Sequence, residues 1–256
     1  ACPTFESSAG ASVRGLFDTR VSNAIYKCAC VVFLVLCAVR VAQAGPGPFA
    51  DDGWYTWRID AADNVPAWCC MTWNGGMARA SACDLESRQY GFGGFDNGLE
   101  PIGEMQVYVR IKSGAVSRIR TLSPQCPIES PKDVTDFGAL DNDESLAWLD
   151  GQIGSASRVT EDALTAIATH RGQRAVEMLV NTAESGADRE TRKDAIFWMS
   201  QLRVSETDEV LQRFMHVDPD PKVREHAAFS IAESDSPNRF AALTRQGEED
   251  KNANVR

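Results

Sequence analysis

Histidine is scarce in this chain. There are three in 256 residues, His170, His216 and His226, and none in the stretch before them. Without a histidine to act as base, the first half cannot assemble a Ser–His or Cys–His nucleophile, and no G-x-S-x-G turn exposes a serine. From Cys69 onward no two cysteines stand at the C-x2-4-C spacing of a zinc knuckle or at the C-x-x-C of a redox pair. No glycine-rich loop closes a strand and opens a helix, so nucleotide fingerprints are absent. Asp141-Asn142-Asp143-Glu144 lacks the glycine and the distal glutamate of a calcium loop. Basic residues are outnumbered 26 to 36, a net charge of −10, which excludes a general nucleic-acid binder because phosphate contacts need a basic surface. Long apolar runs are missing too. Residues 28–39, CACVVFLVLCAV, fall short of the ~20 apolar residues that a membrane span needs.

That short apolar run has another use. Lys27 precedes it and Ala42-Gln43-Ala44 follows, the charged lead, apolar middle and small-residue cut of a secretory signal. The first methionine is Met71, so residues 1–44 are expected to be a signal peptide plus an upstream extension. The mature protein is then periplasmic or secreted, carries a net charge of about −12, and has no membrane span after cleavage. Cys2, Cys28, Cys30 and Cys37 leave with the leader. Cys69, Cys70, Cys83 and Cys126 remain, an even number in an oxidising compartment, which implies disulfides. Neighbouring cysteines rarely bond each other, because the ring so formed strains the peptide. Cys69 and Cys70 are therefore expected to reach Cys83 and Cys126, in one of two pairings, with Trp68 and Trp73 packed around them. Each bridge would contribute about 2–4 kcal/mol.

Residues 45–135 read as a β-rich disulfide domain. GWYTWRID and PAWCCMTW are strand-like, and YGFGGFDNGLEPIGE is loop-like. Met105, Val107, Val109 and Ile111 alternate with polar residues, as in a half-buried strand. A three-residue loop at Lys112-Ser113-Gly114 would set Ile111 opposite Ala115, Val109 opposite Ser117 and Val107 opposite Ile119. The reverse face then carries Tyr108, Arg110, Arg118 and Arg120, a basic stripe that either meets an acidic ligand or is simply solvated.

From about Asp141 strand patterns vanish, and NDESLAWLDGQI reads as a short helix capped by Asp143. Beyond it the sequence lies on itself at a step of about 32 residues, a period in the range of stacked repeat architectures. Arg192, Arg224 and Arg256 coincide, as do Ala163, Ala195 and Ala227; Ile167, Met199 and Ile231; and Leu179, Leu211 and Leu243. Asp188, Asp220 and Asn252 share a column of helix caps, with Pro221 at the first helical position. Positions 192, 195, 196 and 199 make one helical stripe, so each helix pair has an apolar face that only its neighbour can cover. Three units follow, about 155–186, 187–218 and 219–250, and the fourth is entered at KNANVR. The spacing predicts an α-solenoid over 141–256, C-terminally incomplete, and α+β as the class of the whole.

TRKDAIFWMSQ and KVREHAAFSIAES, with a recurring Val-Arg before an alanine-rich helix, resemble HEAT-like repeats of the short phycobilisome-lyase type over residues 155–256. The resemblance implies a right-handed α-solenoid that serves as a protein-binding scaffold. Its second helices would line the concave face, offering Arg174, Glu177 and Asn181, then Glu206, Glu209 and Arg213, then Asn238 and Arg245, to a protein partner. Some HEAT-like enzymes hold two irons with recurring His-Glu pairs. Only a reversed Glu225-His226 stands here, so the three histidines are expected at helix ends or on the surface. The chain is thus expected to be no enzyme, with no catalytic residue, cofactor or metal, and to bind protein rather than nucleic acid. Two other functions compete: a lyase-like enzyme with a missing C-terminal part, and an envelope- or carbohydrate-binding module using Trp54, Trp57, Tyr90 or Phe92.

Overall fold

Four strands in the order β6-β5-β1-β8 form the main sheet of the computed structural model, which describes residues 49–63, 65–74, 77–87, 100–130 and 132–256. They are β1 (Gly53–Asp60), β5 (Glu104–Lys112), β6 (Ala115–Leu122) and β8 (Val134–Ala139). β5 pairs antiparallel with both β1 and β6, and β8 joins β1 in parallel. Two small ribbons lie apart from this sheet: β2 (Cys70–Asn74) with β3 (Met77–Ser81), and β4 (Cys83–Asp84) with β7 (Ile128–Glu129). The helices that follow are α1 (Asn142–Asp150), α2 (Ser157–Thr169), α3 (Gln173–Ser185), α4 (Arg189–Leu202), α5 (Val204–Val217), α6 (Pro221–Ala232) and α7 (Arg239–Glu249). The class is α+β, a β-rich region with disulfides followed by a helical repeat region. The expected leader lies outside the described residues, as do Tyr90, Phe92 and the Trp73 side chain. Among the described residues no helix is long and apolar enough to cross a membrane.

The hairpin between β5 and β6 departs from the expected register. Its loop has two residues, Ser113-Gly114, both at positive φ (55° and 73°), the geometry of a type I′ turn whose twist matches the strands. The Asp52 carboxylate accepts from the backbone amides of Ser113 and Gly114, which holds a serine where glycine is usual. A bulge between Arg110 and Ile111 then shifts the ladder, so Val109 faces Ile119 and Val107 faces Thr121. Nor is β5 half-buried. Met105, Val107, Val109 and Ile111 are buried on one face, and Gln106 and Tyr108 on the other. β5 is a central strand, covered by helices on one side and by the cysteine cluster on the other.

The change of character near residue 140 is a change of secondary structure, not a break in the core. Trp57, Ile59, Val107, Val109 and Ile119 of the sheet share one apolar cluster with Leu146, Leu164, Ile167, Ile196, Leu211 and Ile231 of the helices. β6 lies against α2, and the Asp162 carboxylate there accepts from the Ile119 amide. The sheet therefore covers the N-terminal end of the helical array, a face that a repeat protein must close. The caps follow the repeat: Asp188 accepts from the Thr191 amide and Asp220 from that of Lys222. At α1 the cap is Asp141, which accepts from the Asp143 amide; the expected cap, Asp143, is already inside the helix.

Candidate functional site

The vicinal cysteines resolve into Cys69–Cys126 and Cys70–Cys83, spanning 57 and 13 residues. All four are buried in a second cluster with Trp54, Leu85, Tyr108 and Leu122. The tryptophan expected there, Trp68, turns instead into the main core, its ring 5.7 Å from that of Trp198. Its backbone amide and carbonyl clasp Ser123 on the far side.

The basic stripe is neither a ligand site nor a solvated face. Arg120 is buried and donates to the Asp84 carbonyl and to Cys70 Sγ. Arg118 donates to the carbonyls of Leu85 and Ser87, and Arg110 to the Glu86 carboxylate. Guanidinium groups, with five donors on a rigid plane, tie segment 83–87, the two-residue strand β4 and the turn after it, to the main sheet. Beside them burial pushes the Tyr108 phenol up to about 12. Trp54 Nε1 also reaches the Glu86 carboxylate, at 2.9 Å.

Trp57 lies on the opposite face, fully buried, and donates to Ser145 Oγ at 2.8 Å. Ser145 Oγ is 2.8 Å from His170 Nε2, and His170 Nδ1 is 2.8 Å from the Ala166 carbonyl. A carbonyl only accepts, so Nδ1 carries the proton. The chain then reads Trp57 N–H to Ser145 oxygen, Ser145 O–H to Nε2, Nδ1–H to Ala166. Every donor has an acceptor with the imidazole neutral, and burial lowers the His170 pKa to about 4. Arg203, itself buried, donates to the His170 and Gly172 carbonyls and to Glu206. Sequence spacing gives no hint of this network, since Trp57 and Ser145 alone lie 88 residues apart. The serine–histidine pair is closed: neither side chain has exposed surface, and Ser145 already accepts from Trp57. Trp54 and Trp57 are likewise too deeply buried to stack on a sugar, which removes them from the carbohydrate-binding reading. His170 ends a helix as expected, but in the core rather than at the surface.

The second helices α3, α5 and α7 keep the repeat register in space. Leu179 and Leu211 point inward and are fully buried, whereas Arg174, Glu177, Asn181, Glu206, Glu209, Arg213, Asn238 and Arg245 are all exposed. The polar contacts within each unit also recur. Arg192 pairs with Asp218 and Arg224 with Asp250, at the same sequence separation in both pairs.

Residues 176–256 match the HEAT repeats family. No curated protein and no solved structure matches the chain.

The repeat helices divide their exposed charges into engaged and free groups. Arg213 pairs with Glu184, Arg174 with Asp143, Glu206 with Arg203 and Arg245 with Glu249, and Asn238 donates to Asp208. Among the described residues, Glu177 and Glu209 form no ion pair. They stand one repeat apart, so the second-helix surface presents two free carboxylates in register.

A cleft recurs with the repeat where each second helix ends. One, of about 490 Å³, is lined by Glu184, Gly186, Arg192, Phe214, Val217 and Asp218. The other, of about 310 Å³, is lined by His216, Asp218, Arg224, Glu249, Asp250 and Lys251. Asp218 lines both. The Arg224 hydrogen bond holds the Asp250 carboxyl low, at about 2, so this pair stays charged across the physiological range. Near the first helices burial, reinforced by Glu161 and Glu190, raises Asp194 to about 6. Among the described residues no group of three or more His, Cys, Asp or Glu side chains is placed to hold a metal ion.

Proposed function

We propose that this is an exported scaffold that binds a protein partner through the exposed side of its HEAT-repeat second helices. The observation that carries the reading is the placement of Glu177 and Glu209. They are exposed, without an ion-pair partner among the described residues, and set one repeat apart, while the buried Arg203 and Arg224 find carboxylates inside the protein. The helix pairs would stack as an α-solenoid of the short phycobilisome-lyase type. Two disulfides in a small β-rich region accord with an oxidising compartment. In such a molecule the sheet closes the N-terminal end of the array and leaves the helical surface for recognition.

Photoactivatable residues at Glu177, Asn181 and Glu209, tested in the organism's own cells, check this. The expected result is one common cross-linked protein from all three positions and none from Glu190 or Lys222 on the first helices. Equal cross-linking from the control positions would overturn the assignment of the surface.

A further inference from the structure

The two disulfides share one buried cluster but stand in opposite electrostatic surroundings. Cys70–Cys83 has a hydrogen-bond donor on each sulfur. Arg120, itself buried, donates from Nη2 to Cys70 Sγ at 3.3 Å, and the Cys70 amide donates to Cys83 Sγ at 2.9 Å. Of the acids on segment 83–87, Glu86 is engaged by Arg110 and Trp54, and Asp84 accepts from the Glu86 amide. Cys69–Cys126 has an acceptor beside it instead: the Trp68 carbonyl oxygen lies 3.1 Å from Cys126 Sγ. A disulfide sulfur gains little from a donor, whereas the thiolate that reduction releases gains much. Donors on both sulfurs therefore favour the reduced form of Cys70–Cys83, and the carbonyl disfavours a thiolate at Cys126. A bridge whose reduced form is stabilised is the more oxidising one.

Local stability separates the bridges in the same direction. Cys70–Cys83 joins the ribbon β2–β3 to β4, whose two residues pair with the two of β7. Two-stranded ribbons are marginal on their own, and such elements open at less than the free energy of global unfolding. Cys69–Cys126 is anchored beside Trp68, whose ring packs against Trp198 in the main core and whose backbone clasps Ser123.

We infer that Cys70–Cys83 is a site of reversible thiol–disulfide exchange with a dithiol reductant, while Cys69–Cys126 stays closed as the structural bridge. Cys83 is reached when β4 opens, and one thiolate of the reductant attacks its Sγ. The S–S bond breaks, and Cys70 leaves as a thiolate facing the Arg120 guanidinium. The second thiol of the reductant, as its thiolate, then attacks the reductant's own sulfur in the mixed disulfide and releases Cys83. The reductant ends as a disulfide, two electrons pass to the protein, and the two protons that its thiols lose balance those that Cys70 and Cys83 take up. The exchange unclips the ribbon from β4 and leaves residue 69 tied to residue 126.

The test equilibrates the full chain in graded ratios of reduced to oxidised dithiothreitol, quenches it in acid, alkylates the free thiols and maps them by peptide mass. Cys70 and Cys83 should be alkylated together at a ratio at least tenfold lower than the one that opens Cys69–Cys126, a gap of about 30 mV or more. Chain entropy alone favours the opposite order by about tenfold, because the 57-residue loop costs more to close than the 13-residue one. Arg120→Met should shrink the gap below threefold. Arg118→Met, which removes a tie to segment 83–87 but no hydrogen bond to either sulfur, should leave it unchanged. A wild-type gap below tenfold, or Cys69–Cys126 opening first, would overturn the inference. So would an unchanged gap in Arg120→Met, or an equal collapse in Arg118→Met. Where a variant fails to fold, the wild-type order decides by itself.

Discussion

Acidification should unlock the Trp57–Ser145–His170 network, and the size of the effect follows from its geometry. In the unfolded chain the imidazole titrates near 6.5; in the fold it stays neutral down to about 4. Between these values the unfolded chain binds more protons, so stability falls as pH falls through that window and is fully retained above 6.5. A preference of that size corresponds to roughly 3 kcal/mol, a large share of a typical domain's 5–15 kcal/mol. Asp194 works in the opposite direction. Its folded value is raised to about 6, so its charge is a cost at neutral pH that protonation relieves as the pH drops. The wild-type curve is the difference of the two, and variants separate them. Urea unfolding followed by tryptophan fluorescence at pH 7, 6, 5 and 4 should show a shallow loss in the wild type. The loss should be steeper in Asp194→Asn, which deletes the compensation. In His170→Gln it should be nearly absent or reversed, starting from a lower stability at pH 7. An NMR titration placing the imidazole near 6.5 in the folded protein would refute the reasoning, as would identical pH slopes in wild type and His170→Gln.

Other perturbations read other parts of the fold. Replacing Cys69 and Cys126 by serine should cost about 4 kcal/mol and replacing Cys70 and Cys83 about 3, because the first bridge closes the longer loop; paired denaturant curves decide the order. Asp250→Asn strands a buried guanidinium and should lose about 3–5 kcal/mol, while Glu249→Gln at the exposed Arg245 pair should change thermal stability by less than about 0.5 kcal/mol. Gly186→Ala should destabilise by about 1–3 kcal/mol in the same assay, since its Cβ would stand 2.7 Å from the Thr182 carbonyl oxygen.

What could be read from the residues was whatever repeats or alternates. The repeat columns recur because core and cap positions in each unit meet the same environment, and Leu179, Leu211, Asp188 and Asp220 occupy the roles that their spacing implies. The even cysteine count limited the bridges to two pairings, and the fold selects one. The hairpin register failed by a small margin: Lys112-Ser113-Gly114 suits a three-residue loop, but Asp52, remote in sequence and adjacent in space, stabilises a two-residue turn with serine at positive φ. The arginine stripe was visible and its role was not, because the carbonyls that it satisfies belong to a two-residue strand and the turn after it, which no sequence pattern marks. Nothing local marks His170 either. One ring nitrogen meets Ala166, a turn back on its own helix, but the other meets Ser145 of α1, held in turn by Trp57 of β1, which come together only when the sheet closes on α2. Gly186 is instructive in the same way: the column that holds Asp218 and Asp250 takes a glycine in the first unit, because α3 ends more tightly there, with the Gly186 amide 2.8 Å from Thr182 against 3.4 Å between Asp218 and Phe214.

Recognition on the exposed side of the second helices is tested most directly by one pair of affinities. They are those of the cross-linked partner for the wild-type protein and for Glu177→Lys/Glu209→Lys, both sites being exposed and away from the core. The account predicts binding at least tenfold weaker, about 1.4 kcal/mol or more, with thermal stability unchanged and the difference shrinking at high salt. Equal affinity of the two proteins would contradict it.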